Sequence, residues 1–307
     1  MSKRKLISFD WAMKKLLRSK ANFEILEGFL SELLRENIRI LELLESESNK
    51  EDSKDKFNRV DLKVKNDKEE IIIIEVQYDR EFDYLQRILF GTSKVITEHL
   101  EKSAPYSDIV TVISINILYF DLGQGNDYIY HGTTSFKGLH SQDLLQLSEE
   151  QQELYGKDTV HEIFPEYYLI KVNNFDDRAK DSFDEWIYFL KNEEIKEDFR
   201  AKGIRKAKQE LDILKLSDEE RQAYERYQHD LHYQASMVES SYTIGLRKGE
   251  KKGKVEGRAE GRTEGQLEGK REVAVKLLAS GSLDIEAIAE ITGLSVDELQ
   301  GVKQGHN

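Results

Sequence analysis

The spacing of apolar residues along the chain changes period several times, and each change predicts a different element. Apolar residues recur every three or four positions over residues 9–45, which predicts helix. Residues 60–64 alternate between apolar and polar, residues 71–77 begin as an apolar run, and residues 66–69 between them are typical of a turn, so we predict a β-hairpin. The helical period returns over residues 79–102. The chain therefore begins with helix, hairpin and helix.

Strands dominate the next part of the chain. Residues 108–120 are rich in β-branched side chains and predict a buried strand, while residues 128–130 and 166–172 predict two further strands. This order of elements predicts the α/β fold class for a domain that extends to about residue 190. After Asp184 the pattern changes to charged helices.

The chain divides into four predicted segments. Residues 1–190 form the α/β domain and residues 191–244 a charged helical extension. Residues 245–270 form a charged tract patterned by glycine, and residues 271–307 form a small helical module.

Glycine recurs at every fourth position of the tract, at positions 245, 249, 253, 257, 261, 265 and 269. Each glycine costs a helix about 0.8–1.0 kcal/mol relative to alanine, so the tract alone is at best a marginal helix. Two interpretations remain open. The glycine stripe of a helix packs closely against a second copy of the chain, as small-residue stripes do in membranes, or the tract is a flexible charged tether.

The closing module has the spacing of a helix-turn-helix, with Ala289 four residues before Gly293. Its second helix would begin with the acids Asp297 and Glu298, which are a poor match to phosphates. The pattern therefore favours a dimerisation or partner-binding module over a DNA-binding one, and we expect a homodimer formed through the C-terminal helices. The basic residues between 247 and 258 alternate with glutamates, which favours a tether over a DNA contact.

The 307 residues include 46 Lys and Arg and 59 Asp and Glu, which gives a formal net charge of −13. An acidic chain is not expected to bind nucleic acid through its overall charge, so a DNA contact requires local basic groups or metal ions. The absence of cysteine excludes disulfides, thiolate nucleophiles and Cys-ligated zinc. The N-terminus lacks an apolar signal region, and the apolar stretch 109–120 is too short to cross a bilayer as a helix. We therefore expect a soluble, cytoplasmic protein with no membrane partner.

Motifs for nucleotide binding, zinc proteolysis and serine hydrolysis are absent from the sequence, and one constellation remains: Asp61, Glu75 and Gln77. Residues two apart on a strand point to the same face and lie about 6.5–7 Å from each other, so Glu75 and Gln77 point the same way. If Asp61 pairs with Glu75 across the hairpin, residues 67–69 form a three-residue loop and the two carboxylates share that face. A two-residue loop would place them on opposite faces.

Two interpretations of these acids are open, because acids on a hairpin often form only its solvent face. However, residues 71–74 are apolar in both alternating positions, which is typical of a covered central strand, where a terminal carboxylate and amide need partners. Two adjacent carboxylates repel each other unless a cation lies between them. Hard oxygen ligands suit Mg²⁺ or Mn²⁺, so the pattern indicates a metal site.

Residues 59–61, Arg-Val-Asp, followed by residues 74–77, Ile-Glu-Val-Gln, resemble the core of PD-(D/E)XK nucleases in the variant with Gln in place of the usual Lys. This variant is typical of the Rpn family of recombination-promoting nucleases and transposases. The name-giving Pro is replaced by Val60. Further segments resemble the family's opening helix, its Arg-containing helix and its tail, so the resemblance covers nearly the whole chain: residues 9–16, Arg87 with Ser93, the glycine tract and the closing module.

The resemblance implies a restriction-endonuclease-like core with a helical tail, and a metal-dependent DNA endonuclease that promotes DNA recombination. It implies Asp61 and Glu75 as metal ligands, Val76 as a ligand through its backbone carbonyl, and Gln77 as the catalytic residue that positions water. The implied cofactor is Mg²⁺, with Mn²⁺ as a substitute, and the implied partner is DNA. Because an amide does not titrate, Gln77 cannot be the base, which leaves a metal-bound hydroxide, Glu75 or a substrate phosphate.

Four further residues are candidates for accessory roles. Arg87 and Lys94 are seven residues apart and share a helix face, where they clamp a phosphate, support the site or merely form a solvated face. Asp10 and Lys14 are four residues apart and either form an exposed ion pair or border the active site. The competing function class is non-enzymatic: a catalytically degenerate nuclease fold that binds DNA or protein.

Overall fold

The apolar runs of the sequence form a mixed sheet with helices on both faces. The computed structural model describes residues 6–15, 17–44, 61–100 and 103–304. Within these ranges the strands are β1 (Ile40–Leu44), β2 (Leu62–Asn66), β3 (Ile71–Gln77), β4 (Val112–Leu118), β5 (Ile129–Gly132) and β6 (Glu166–Lys171). The α-helices are α1 (Phe9–Lys15), α2 (Phe23–Leu34), α3 (Tyr84–His99), α4 (Glu149–Tyr155), α5 (Ser182–Asn192), α6 (Ile204–Glu210), α7 (Asp218–Ser280), α8 (Ile285–Thr292) and α9 (Val296–Gln304).

The six strands have the order β1-β2-β3-β4-β6-β5. β1, β2 and β3 are antiparallel neighbours, β3, β4 and β6 run parallel, and β5 is antiparallel to β6. The parallel strands at the centre are joined by crossovers that contain helices, as parallel pairing requires. The predicted α/β fold class is therefore confirmed.

β3 is covered on both faces, as its uninterrupted apolar run predicted. On one face, Ile72, Ile74 and Val76 belong to the main hydrophobic core. Residues of α1, α2, α5 and α6 belong to the same core. The other face packs against Val95 of α3 through Ile71 and Ile73. Because successive residues of a strand alternate between faces, Glu75 and Gln77 lie on the face that α3 covers.

The hairpin between β2 and β3 has the register that the sequence predicted. Leu62 pairs with Ile74 and Lys65 with Ile71, which leaves residues 67–69 as the loop. Glu69 has a φ of 63°, the left-handed residue that three-residue hairpin loops require. The Asn66 side-chain oxygen stabilises the turn by accepting hydrogen bonds from the backbone N–H groups of Lys68 and Glu70, at 3.1 and 2.8 Å. The loop therefore sets the face on which Glu75 lies.

The prediction of continuous helix over residues 9–45 is wrong at both ends of α2. α1 ends at Lys15, α2 begins at Phe23, and residues 40–44 form the edge strand β1 instead of helix. α2 ends because Arg35 adopts a left-handed conformation, with a φ of 57°. The apolar residues of 40–44 fit either period, and pairing with β2 decides in favour of a strand. The part of this prediction at residue 45, and the hairpin prediction at Val60, lie outside the described residues.

The chain between residue 190 and Ala235, which includes α6 and the first turns of α7, belongs to the same compact unit as the sheet. The chain divides into two units, Met1–Ala235 and Ser236–Asn307. In the first unit, α2 packs so closely against the turn before α6 that a Cβ on Gly28 would lie 2.2 Å from the Lys202 carbonyl oxygen. The first turns of α7 also belong to this unit, because the buried Tyr224 hydroxyl accepts a hydrogen bond from the Ser8 backbone at 3.0 Å. The predicted internal boundaries at residues 190, 244 and 270 remain predictions.

The second unit contains the glycine tract and the closing helices. The tract is helical throughout, as part of α7, and a Cβ added at any glycine of its stripe would meet no atom within 4 Å apart from its chain neighbours and the nearby backbone of the helix itself. α8 begins at an Asp284 cap and ends at Gly293, whose φ is 65°. A small separate core holds the module together, formed by Ala274, Ile288, Leu294 and Leu299. No helix in the described part of the chain is long and apolar enough to cross a membrane.

Candidate functional site

Asp61 is attached to the end of β3 by its side chain. It immediately precedes β2, and its Oδ2 accepts a hydrogen bond of 2.7 Å from the backbone N–H of Val76. This bond holds the Asp61 carboxylate beside the strand positions on either side of Val76. The predicted convergence of Asp61 with Glu75 and Gln77 therefore has a direct structural cause.

Glu75 is a buried carboxylate, with 6% of its surface exposed. Burial raises the pKa of Glu75 to about 7; the charge of Arg87 opposes this rise, the charge of Asp61 adds to it, and a hydrogen bond from Tyr84 opposes it. The Tyr84 hydroxyl lies 3.4 Å from Glu75 Oε2, and an Arg87 Nη2 lies 3.9 Å from the same oxygen. The direction of the Asp61 effect agrees with the geometry, because the hydrogen bond from the Val76 N–H holds the Asp61 carboxylate beside the end of β3.

Gln77 is held by the short segment that precedes α3. Its Nε2 donates to Glu81 Oε1 at 3.0 Å and to the Asp79 carbonyl oxygen at 3.3 Å. Glu81 Oε1 also accepts a hydrogen bond of 2.6 Å from Arg87 Nη1. Glu81 thus links the strand residue Gln77 to the helix residue Arg87.

Tyr84 connects the site to the neighbouring strand β4. Its hydroxyl donates to Asn116 Oδ1 at 3.0 Å, and the Asn116 amide nitrogen donates to Ser114 Oγ at 3.1 Å. A hydroxyl carries one proton, so Tyr84 donates at any moment to one of its two acceptors, Asn116 Oδ1 or Glu75 Oε2. This buried network fixes the floor of the site.

The structure separates the predicted accessory residues. Arg87 lies between Glu81 and Glu75, in position to support the site, whereas Lys94 forms an ion pair of 3.5 Å with Glu98 in the last turns of α3. The two side chains therefore have different partners, and their action as one clamp stays a prediction.

Asp10 is buried in α1 and is not exposed to solvent. It is 1% exposed and accepts a hydrogen bond from the Tyr227 hydroxyl. Burial is the main cause of the raised pKa of Tyr78, the residue after Gln77, and the charge of Asp10 adds to it. Asp10 is thus buried close to the end of β3. The side chain of Lys14 lies outside the described residues.

Sequence reasoning missed Glu81, Tyr84 and Asn116. Asn116 had a visible signal, since it is a polar residue inside an otherwise apolar predicted strand. Nothing in the sequence distinguished Glu81 from its neighbours Asp79 and Asp83. Their roles depend on how α3 packs over β3 and β4, which no local pattern specifies.

The donor set of the site fits a hard divalent cation. Asp61 and Glu75 offer carboxylate oxygens, and a cation beside them would stabilise the charged form of Glu75, which burial and the charge of Asp61 disfavour. Over the ranges that the structure describes, no group of three or more His, Cys, Asp or Glu side chains is arranged to hold a metal ion. A cation at this site would therefore complete its coordination with backbone oxygen and water, which Mg²⁺ commonly does.

The raised pKa of Glu75 predicts a pH dependence of stability in metal-free protein. Its ordinary pKa is 4.5, and the folded state raises it to about 7, so folding favours the protonated form. The resulting stabilisation is complete below pH 4.5, declines through pH 7 and is absent above it. Between these limits we expect wild type to lose about 3 kcal/mol of unfolding free energy relative to Glu75→Gln. Urea unfolding in EDTA at several pH values measures this difference, and a constant difference would contradict the assignment.

Comparison with known families agrees with this geometry. A family model described as PD-(D/E)XK nuclease family transposase matches residues 7–241. Searches of curated proteins and of solved structures give no significant match. Since the family match covers more than half of the chain, the chain belongs to the PD-(D/E)XK nuclease family transposases, and its sheet and helices correspond to a restriction-endonuclease-like core.

Proposed function

We propose that this member of the PD-(D/E)XK nuclease family transposases is a Mg²⁺-dependent DNA endonuclease that acts in DNA recombination, with Mn²⁺ as a substitute. The family indicates a nuclease or transposase-related role and the general use of divalent metal ions. The observation that carries the finer proposal is the hydrogen bond from Val76 N–H to Asp61, which draws a second carboxylate to the buried Glu75.

Each residue of the site has a distinct task in this proposal. Asp61 and Glu75 hold the cation, together with the backbone carbonyl of Val76. When bound, a divalent cation supplies Lewis acidity that polarises a phosphate oxygen and acidifies water. Gln77 orients the attacking water. It does not act as the base, because its amide does not titrate. Arg87 supports the site by partly compensating the charges of Glu75 and Glu81.

A cleavage assay tests this function directly. Supercoiled plasmid is incubated with the purified protein in Mg²⁺, in Mn²⁺ and in EDTA, and we expect nicked or linear product only in the presence of metal. The competing function, a degenerate nuclease fold that binds DNA or protein, predicts intact plasmid in every condition. Intact plasmid at saturating protein and metal would contradict the endonuclease proposal.

We further propose that the chain is a homodimer formed through its C-terminal helices. Support comes from the glycine stripe of α7, which faces open space in the single chain. Each glycine lowers the stability of the helix by about 0.8–1.0 kcal/mol relative to alanine. Close backbone contact offsets this cost if a second helix covers the stripe.

Light scattering tests the dimer. We expect the full-length chain to be a dimer, and the chain without residues 245–302 to be a monomer that still cuts DNA. Leucine at Gly253, Gly257 and Gly261 blocks close approach and should also give a monomer. Matched leucines at the next residues, Lys254, Arg258 and Arg262, leave the stripe intact and should preserve the dimer. A monomeric full-length chain would eliminate the packing interpretation.

A further inference from the structure

The segment between β3 and α3 controls how Gln77 presents its amide. Both acceptors of the Gln77 Nε2 group, Glu81 Oε1 at 3.0 Å and the Asp79 carbonyl at 3.3 Å, lie in this segment. An amide nitrogen has two protons and no acceptor capacity, and the amide oxygen has only acceptor capacity. The opposite orientation would place the Gln77 oxygen against a carboxylate and a carbonyl, so the contacts exclude it.

We propose that Glu81 is a positioning residue that fixes Gln77 with its amide nitrogen towards Glu81 and its carbonyl oxygen available to the attacking water. The inference rests on the proposed nuclease function and deepens it. An amide oxygen accepts a hydrogen bond from the attacking water and thereby leaves a lone pair of that water free to point at the phosphate. An amide nitrogen would instead donate a hydrogen bond to a phosphate oxygen. Glu81 therefore decides that Gln77 positions the nucleophile and does not bind the phosphate.

Arg87 makes this arrangement possible. Glu81 is 31% exposed at its side chain, and its negative charge acts on Glu75, so a cationic partner stabilises its carboxylate. Arg87 Nη1 donates to the same Glu81 oxygen that receives the Gln77 amide, at 2.6 Å. Charge-assisted bonds of this kind are roughly twice as strong as neutral ones, so the Arg87 bond anchors the carboxylate that holds Gln77. Arg87 consequently supports the site instead of clamping a phosphate.

The first arm of the test observes the amide in the full-length protein without metal or DNA. Selective ¹⁵N-glutamine labelling gives a side-chain NH₂ signal for Gln77, which is assigned by its loss in Gln77→Ala. We expect this signal to be shifted and protected from solvent exchange in wild type. Both properties should be lost in Glu81→Ala. They should be retained in Glu98→Ala, a matched control on α3 whose side chain has the same 31% exposure and pairs with Lys63 and Lys94.

The second arm is a double-mutant cycle on single-turnover cleavage. We expect Glu81→Ala to lower the rate by about 10–100-fold with unchanged DNA affinity, the usual size for an outer-shell orienting group. In the Gln77→Ala background, Glu81→Ala should change the rate by less than about twofold, because its effect passes through Gln77. Glu81→Gln keeps an oxygen acceptor for both donors and should recover most of the wild-type rate.

These outcomes separate the inference from the function on which it rests. An inactive wild type contradicts the proposed nuclease, and the NMR arm then still decides the orientation of Gln77. In an active enzyme, an equal effect of Glu81→Ala in both backgrounds would overturn the inference, because Glu81 would then act on the fold or through Arg87 alone. A Gln77 NH₂ signal that is identical in wild type and Glu81→Ala would overturn it as well.

Discussion

Glu75→Ala is expected to abolish DNA cleavage, with a fall in rate of at least roughly 10³-fold, because it removes one of the two proposed carboxylate ligands of the metal. Glu75 is buried on the face of β3 that α3 covers. Metal affinity should fall together with the rate, in contrast to a residue that only orients water.

Asp61→Asn, at the second carboxylate, is likewise expected to abolish DNA cleavage. Asparagine keeps an oxygen that can accept the 2.7 Å hydrogen bond from Val76, so the fold is preserved while the charge is removed. Glu98→Ala, at the far end of α3, is the control that should leave cleavage unchanged. Single-turnover assays on supercoiled plasmid measure these rates, and Glu75→Ala or Asp61→Asn protein that cuts like wild type would move the active site elsewhere.

Gln77→Ala is expected to lower the cleavage rate by roughly 10²-fold while the affinities for DNA and metal stay nearly unchanged, since the proposed role of Gln77 is to position water without binding DNA or metal. Gln77→Lys should be active, because Glu81 Oε1 lies 3.0 Å from the amide nitrogen and can hold an ammonium group instead. A cationic group there also stabilises negative charge in the transition state.

The control for Gln77 is a double variant, in which the effects of the two substitutions on the cleavage rate should not add. The double variant Gln77→Ala with Glu75→Ala should be no slower than Glu75→Ala alone, because orientation of water has no effect once the metal ligand is lost. Rates that multiply across the two variants would show that Gln77 acts independently of the Glu75 site.

The hairpin illustrates what sequence patterns specify well. A shift of one residue would move every side chain of β3 to the other face, so the apolar pattern and the loop length together allow one register. The predicted pairing across the hairpin is the one observed, with Leu62 opposite Ile74. Residues 40–44 show the opposite case, since their apolar positions satisfy both the helical and the strand period, and only the exposed edge of β2 selects a strand.

The sequence predicted only those residues of the candidate site that are related to one another by strand geometry. Asp61, Glu75 and Gln77 are related by strand geometry, and the structure brings them to one end of β3. Glu81 and Asn116 are related to them through the packing of α3, which depends on contacts between Tyr84 and residues of β4. A single sequence contains no periodic signal for such contacts, and so the orientation of Gln77 required the structure.

The melting temperature in Mg²⁺ or Mn²⁺ tests the central claim, that Asp61 and Glu75 form a metal site, most directly. A ligand that binds only the folded state stabilises it by about 2.7 kcal/mol at a concentration 100 times its Kd. Wild type should therefore melt at a higher temperature in millimolar metal than in EDTA, and Asp61→Asn should show no such increase. An unchanged wild-type melting temperature, or an equal increase in Asp61→Asn, would contradict the metal site.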